Sequence, residues 1–337
     1  MKDFFKGLWR LSVLAVAAAL PLVAVLMPAK AWNVVGEGLP ATTAAVSSAT
    51  SAVSSSVAAS EQAPPVAAVS PIAPPKGKGG GTVVEEQLGG GKRLADNLYY
   101  KNRDGLSVNF SSFLQKKPQT VLEKTEKPQV LILHTHTTET YMSYYAGYYN
   151  KEDVGRSTDL AKNVVVAGEA LANRLRAHGI AVIHDTTVHD DPQYVGAYYR
   201  SADTAEAVRK QYPSIKLVID LHRDAVQRSD TVLVKPTVTQ NGERYAQMMF
   251  VIGGENTKDN PNANRDENVA MALALQQELN AQVAGVMRPI SFCACEYNQS
   301  LCRGFLVEVG AQANTFEEAQ RSAALLGDAM AKVLGNN

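Results

Sequence analysis

From residue 130 onward, short apolar runs alternate with stretches of helical period. Residues 130–133 (Val-Leu-Ile-Leu), 180–184, 217–219 and 305–307 are apolar enough to be buried strands. Leu160, Val164, Leu171 and Leu175 fall on one face of a helix that His178-Gly179 closes. Residues 195–212 read as a second helix stopped by Pro213, and 264–283 and 316–334 as two more. The segments 232–238 and 245–252, with Asn241-Gly242 between them, read as a β-hairpin. Alternating strands and helices predict an α/β fold, a sheet flanked by helices on both faces. Ligands of such sheets gather beyond the carboxyl ends of the strands.

The N-terminal pattern is different. Lys2, Lys6 and Arg10 precede an apolar run over residues 11–29, long enough to span a bilayer and oriented with the chain's start on the cytoplasmic side. Ala29-Lys30-Ala31 also resembles a cleavage site, so residues 1–34 are expected to be a transmembrane anchor or a signal segment. Residues 35–93 are rich in Ala, Ser, Val, Pro and Gly and nearly free of large apolar side chains, the composition of a disordered tether. The folded domain is expected over 94–337, with Tyr99, Tyr100, Phe110, Phe113 and Leu114 as its first apolar set. With 33 basic and 33 acidic residues, the chain lacks the basic excess that marks a nucleic-acid partner. Its three cysteines, Cys293, Cys295 and Cys302, are too few for a disulfide scaffold, and their spacing lacks the fourth ligand of a zinc knuckle. Cys302 could pair with either of the others in an oxidising compartment.

Three strand ends carry the candidate chemistry: His134-Thr135-His136-Thr137-Thr138-Glu139, Asp220-Leu221-His222-Arg223-Asp224 and Glu308-Val309-Gly310. His136 and Glu139 can reach one ion from a single turn, and His222 would add a third ligand. Two histidines, one carboxylate and an open position for water form the donor set of a catalytic Zn2+. His134 is the alternative ligand, or a group that touches substrate. Glu308, between two valines, suits an acid–base role at metal-bound water. Arg223 is a candidate to stabilise an oxyanion, with a structural ion pair as the competing role, and Asp220, Arg223 and Asp224 are candidates to orient His222. His184-Asp185 and His189-Asp190 either line the cleft or satisfy loop hydrogen bonds. Tyr141, Tyr144, Tyr145, Tyr148 and Tyr149 form an aromatic-rich loop that either packs on sugar or peptide or is ordinary surface.

These motifs, with Tyr297-Asn298-Gln299, residues 186–190 and Asn314, resemble the stage II sporulation protein P family of endospore-forming bacteria. The resemblance runs from about residue 94 to the C-terminus, and the membrane segment and variable linker match that family's layout. It implies an N-acetylmuramoyl-L-alanine amidase-like fold and a zinc peptidoglycan hydrolase, both amidase and endopeptidase, acting in forespore engulfment. It further implies a cell-membrane protein with an extracytoplasmic domain, a lytic transglycosylase partner and a polytopic membrane scaffold. In the related amidases zinc is held by His, Glu and His, and a later Glu is catalytic. By motif these positions are His136, Glu139, His222 and Glu308, although the first two lie closer together here than in those amidases. The alternative reading is a non-catalytic peptidoglycan-binding module that recruits a partner hydrolase.

Overall fold

The structure, a computed structural model, describes residues 80–254, 262–295 and 297–336. The expected membrane segment and residues 35–79 of the expected tether lie outside the described residues. Among the described residues no helix is long and apolar enough to cross a membrane.

Thirteen strands and four α-helices are described. The strands are β1 (Gly80–Glu86), β2 (Lys92–Ala95), β3 (Leu98–Asn102), β4 (Thr125–Leu133), β5 (Tyr148–Asn150), β6 (Ile180–His184) and β7 (Leu217–Asp224), then β8 (Gln227–Ser229), β9 (Val232–Gln240), β10 (Glu243–Ala246), β11 (Met248–Gly253), β12 (Ile290–Cys293) and β13 (Gly304–Ala311). The helices are α1 (Val165–Ala177), α2 (Ala197–Gln211), α3 (Arg265–Gln282) and α4 (Phe316–Leu334).

Eight strands form the main sheet in the order β2-β3-β12-β11-β13-β7-β4-β6. The run β13-β7-β4-β6 at one end of the sheet is parallel, while β11 is antiparallel to β13. Alternation along β4 divides its side chains between two cores. Val130 and Ile132 join Leu171 and Leu175 of α1, Leu275 of α3 and Leu326 of α4. Leu131 and Leu133 face the other way and pack with Ala205 of α2 and Ile215. Helices therefore cover both faces, as the alternation predicts. α4 begins at a capping box in which Thr315 and Glu318 satisfy each other's backbone N–H.

Three expectations change. The first helix starts at Val165, and Leu160 is exposed outside it. The second arm of the expected hairpin divides: β10 pairs with β9, but at Gln247 the chain leaves for the main sheet as β11. Third, β1 lies inside the stretch whose composition predicts a tether. It runs parallel to β9 and antiparallel to β5 in a second sheet ordered β10-β9-β1-β5. Its glycines have a physical reason, because a Cβ on Gly80 would lie 1.6 Å from the Tyr149 carbonyl oxygen and one on Gly81 2.0 Å from that of Thr231. Composition hides the strand because only Val83 is buried in its core cluster, with Met142, Tyr149 and Leu233.

Candidate metal centre

β7 carries Asp220 and His222 on one face, and β13 brings Glu308 into register beside His222. Both strands extend past the expected ends, so the two residues stand on the sheet rather than in loops after it. A rigid strand fixes direction better than a loop does. The loop leaving β4 supplies His136 and Glu139 across a single turn, in which the Glu139 N–H donates to the His136 carbonyl.

His136, Glu139 and His222 converge, with one donor atom of each within 4.8 Å of the others. His136 Nδ1 lies 3.6 Å from Glu139 Oε1, and His222 Nδ1 lies 3.6 Å from Glu139 Oε2. A tetrahedral ion with bonds of about 2.0–2.1 Å holds its donors roughly 3.4 Å apart, so the donor set and its spacing fit one such cation.

The remaining atoms of these side chains are fixed from behind. His222 Nε2 is 2.8 Å from Asp220 Oδ1, a close ion-pair contact without hydrogen-bond alignment, and Nδ1 lies on the Glu139 side. Asp220 is in turn held by the N–H and hydroxyl of Thr135. Burial alone would raise the Asp220 pKa, but His222 and those Thr135 hydrogen bonds bring it below its usual value. Burial disfavours a charged His222, yet Asp220 and then Glu139 lift its pKa well above that of a free imidazole. Glu139 responds in the same way. Burial opposes its ionisation, but the neighbouring His136 and His222 rings hold the carboxyl far below the carboxylate range. The cluster therefore holds an ionised carboxylate in a buried place.

Glu308 is in the opposite state. Its Oε2 is buried and has no hydrogen-bond partner. Burial, reinforced by Asp224 and Glu139 against the counter-pull of His222, pushes its pKa up to about 8. Two carboxylates on one site with pKa values driven apart are a signature of divided acid–base roles.

The other expected residues are placed differently. His134 is fully buried behind the site, with Nδ1 2.8 Å from the Leu221 carbonyl and Nε2 2.9 Å from His184 Nε2. His184 continues to Glu169. Burial and the neighbouring His184 push the His134 pKa down to about 3, so the ring stays neutral. Both of its nitrogens are engaged away from the cleft, so it is not positioned to touch a substrate. Gly168 of α1 makes this pair possible, since a Cβ there would sit 2.5 Å from His184 Nε2 and 2.7 Å from His134 Nε2. The Arg223 guanidinium donates to the carbonyls of Thr140 and Gly155, while its N–H donates to Glu139 Oε2. It clamps the ligand loop.

The family model described as Stage II sporulation protein P (SpoIIP) matches residues 85–331. The chain belongs to the stage II sporulation protein P family. It is 28% identical over 220 residues to "Stage II sporulation protein P" of Bacillus subtilis (strain 168), covering 62% of this chain and 51% of that protein. It thus spans about half the length of that curated relative. Among solved structures it is similar to the N-acetylmuramyl-L-alanine amidase Ami1 from Mycobacterium smegmatis, at 16% identity and a TM-score of 0.34, over 62% of this chain and 98% of that one. It is also similar to the CwlD amidase from Clostridioides difficile, solved in complex with the GerS lipoprotein, at 13% identity and a TM-score of 0.35, over 61% and 98%.

Several residues that carry the family resemblance are scaffold. Gln299 donates to the Val251 carbonyl and accepts from the Gly253 N–H. Asn314 ties Ala311, Pro236 and Glu318 together. Asn298 pins the start of α2 through the Tyr198 carbonyl. His189 and Asp190 satisfy loop hydrogen bonds: His189 contacts the His134 carbonyl and Thr204, and Asp190 holds Thr138 and pairs with Arg156. All three cysteines are free.

Sequence reasoning missed three neighbours of the centre. Tyr194 stacks on His136 at 4.5 Å between centroids, and Tyr198 meets the same ring edge-on at 5.5 Å. Arg156 packs over Tyr194 and reaches within 3.7 Å of Glu139. None lies in a motif with metal-ligand spacing, so no local signal marks them.

Because Asp220 fixes the His222 ring, Asp220→Asn is expected to weaken metal affinity about 10–100-fold while the domain stays folded. Competition against a chromogenic chelator measures it, and unchanged affinity would remove Asp220 from this role.

Proposed function

We propose that this domain is a zinc-dependent peptidoglycan hydrolase that cleaves wall amide bonds during sporulation, as an N-acetylmuramoyl-L-alanine amidase with endopeptidase activity. The observation that carries the reading is the convergence of His136, Glu139 and His222 beside the unpartnered carboxyl of Glu308. Family membership supplies the sporulation context.

His136, Glu139 and His222 would hold the ion. A zinc ion so held polarises a carbonyl and lowers the pKa of bound water to about 7. Everything else in the mechanism belongs to the chain's own side chains. Asp220 keeps the His222 Nδ1 lone pair directed into the site. Glu308, whose raised pKa makes proton exchange near neutral pH easy, takes the proton from attacking water and returns it to the departing amine nitrogen. Arg223 acts by positioning: its guanidinium and N–H keep Glu139 in place, so the loop does not swing when charge moves at the centre.

The same reading assigns the chain an extracytoplasmic place at the membrane, a part in forespore engulfment, and a lytic transglycosylase and a polytopic membrane scaffold as partners. The test is purified peptidoglycan incubated with the zinc-loaded and the chelator-treated chain, with products identified by mass spectrometry. Free stem peptides or split cross-links, lost on chelation and restored by zinc, are the expected result. Binding with no soluble product, with or without a transglycosylase, would make the domain a wall-binding module.

A further inference from the structure

The tyrosine-rich loop that sequence offered for sugar packing is mostly interior. Tyr141, Tyr144 and Tyr149 are buried, and Tyr145, although 53% exposed, is covered on its ring by Lys235 and Arg244. A second exposed apolar surface lies where the chain enters α2. Tyr194 is 52% exposed, Val195 85% and Tyr199 81%. A single exposed apolar side chain is ordinary, whereas three within six residues beside a cleft form a patch that calls for a partner.

The patch is built on fixed backbone. Arg200 donates to the carbonyls of His189, Gln193 and Val195, and Asn298 holds the Tyr198 carbonyl. It is also continuous with the metal centre, because Tyr194 stacks directly on His136. Whatever lies on Tyr194 and extends outward over Val195 and Tyr199 is attached to the reacting bond or close to it.

The bond itself limits the occupant. When the amide between a wall sugar's acyl substituent and a stem peptide is cut, a sugar must lie on one side of the centre. A pyranose has a rim of hydroxyls and a face of C–H groups. That face packs on aromatic rings and branched aliphatic side chains while the hydroxyls stay in water, which suits a patch that is apolar yet widely exposed.

We propose that Tyr194, Val195 and Tyr199 form a glycan subsite that seats the sugar rings of the wall strand beside the cleaved amide. The choice of sugar rests on the amide-cleavage reading above, but the subsite can be tested without catalysis.

The experiment measures binding of the full-length chain to fluorescent glycan strands stripped of their stem peptides, alongside peptide release from intact peptidoglycan. The double variant Val195→Ser, Tyr199→Ala alters only exposed side chains, and an unchanged melting temperature verifies its fold. It is expected to bind stripped strands about 5–10-fold more weakly, and Tyr199→Trp is expected to retain binding. Equal binding by the parent and the double variant, or no binding by the parent, would overturn the subsite. So would an effect of the double variant confined to self-association, which would make the patch a contact between copies. If strand binding falls as expected but the parent releases no peptide from intact wall, the subsite stands and the amidase reading fails.

Discussion

Glu308→Gln is expected to abolish release of peptides from purified peptidoglycan while leaving metal affinity unchanged. Glutamine keeps the shape of the side chain but can neither accept the water's proton nor return it, and loss of a general acid–base of this kind costs about 100–10,000-fold in rate. Glu308 stands on β13 beside His222, outside the donor triad, so the ligands lose nothing. Parent-like turnover in a variant shown to be metal-loaded would sink the assignment. The same variant should change how stability depends on pH in the metal-free chain. The folded pKa of Glu308 is raised from about 4.5 to about 8, so its contribution is fully present below the lower value and is lost as pH rises through the upper one. Unfolding free energies from urea titrations at pH 5 and pH 8 should therefore differ less in Glu308→Gln than in the parent, by an amount on the order of a few kcal/mol. His222, whose pKa is also raised, contributes a slope of the same sign, and because it interacts with Glu308 the difference between the two proteins reports the pair rather than Glu308 alone.

A chain truncated to begin at residue 94 should be much less stable than one beginning at residue 80. The cut removes β1 from between β5 and β9, opening two sheet edges and taking Val83 out of its core cluster. It also takes Glu85 from Lys235. That lysine is 1% exposed and lies 3.0 Å from Glu85 and 2.7 Å from Glu318. Because Glu318 still pairs Lys235, this loss costs less than the about 3–5 kcal/mol of breaking a buried pair outright. Together with the lost strand it is expected to lower the melting temperature by roughly 10 °C, since about 1 kcal/mol shifts the midpoint by 2–4 °C in a domain of this size. Circular dichroism melts of the two truncations would show it, and coincident melts would mean that β1 is an ornament of the sheet.

This strand also shows where sequence reading runs out. The helical reading located α2, α3 and α4 to within two residues: α3 and α4 bury broad apolar stripes, whereas α2 buries only Ala197, Ser201 and Ala205 and was marked by the proline that follows it. It located the cores of β4, β6, β7 and β13, because strands covered on both faces are continuously apolar. β1 buries one valine and otherwise relies on backbone pairing, which leaves almost no trace in composition. The site divided along the same line. That His136, Glu139 and His222 come together with Glu308 beside them was legible because strand ends restrict where such residues can meet. The orientation of His134, engaged with His184 next to α1, is visible only in three dimensions. Tyr194, Tyr198 and Arg156 reach the centre from segments distant in sequence, and tyrosine or arginine at such positions has no spacing rule to betray it.

The segment from Glu139 to Arg156 begins at the candidate metal centre, is tied at Thr140 and Gly155 by Arg223, and contributes β5 to the second sheet before it returns. It is a connection by chain order, yet it is anchored at both ends and in the middle. Ordinary loops tolerate changes of length. Here an added residue would have to be absorbed between fixed points, either pulling the ligand off the centre or shifting β5 against β1. The Asn241-Gly242 turn is different, with open space around its glycine. Natural length variation, and any engineered graft, belongs at that turn.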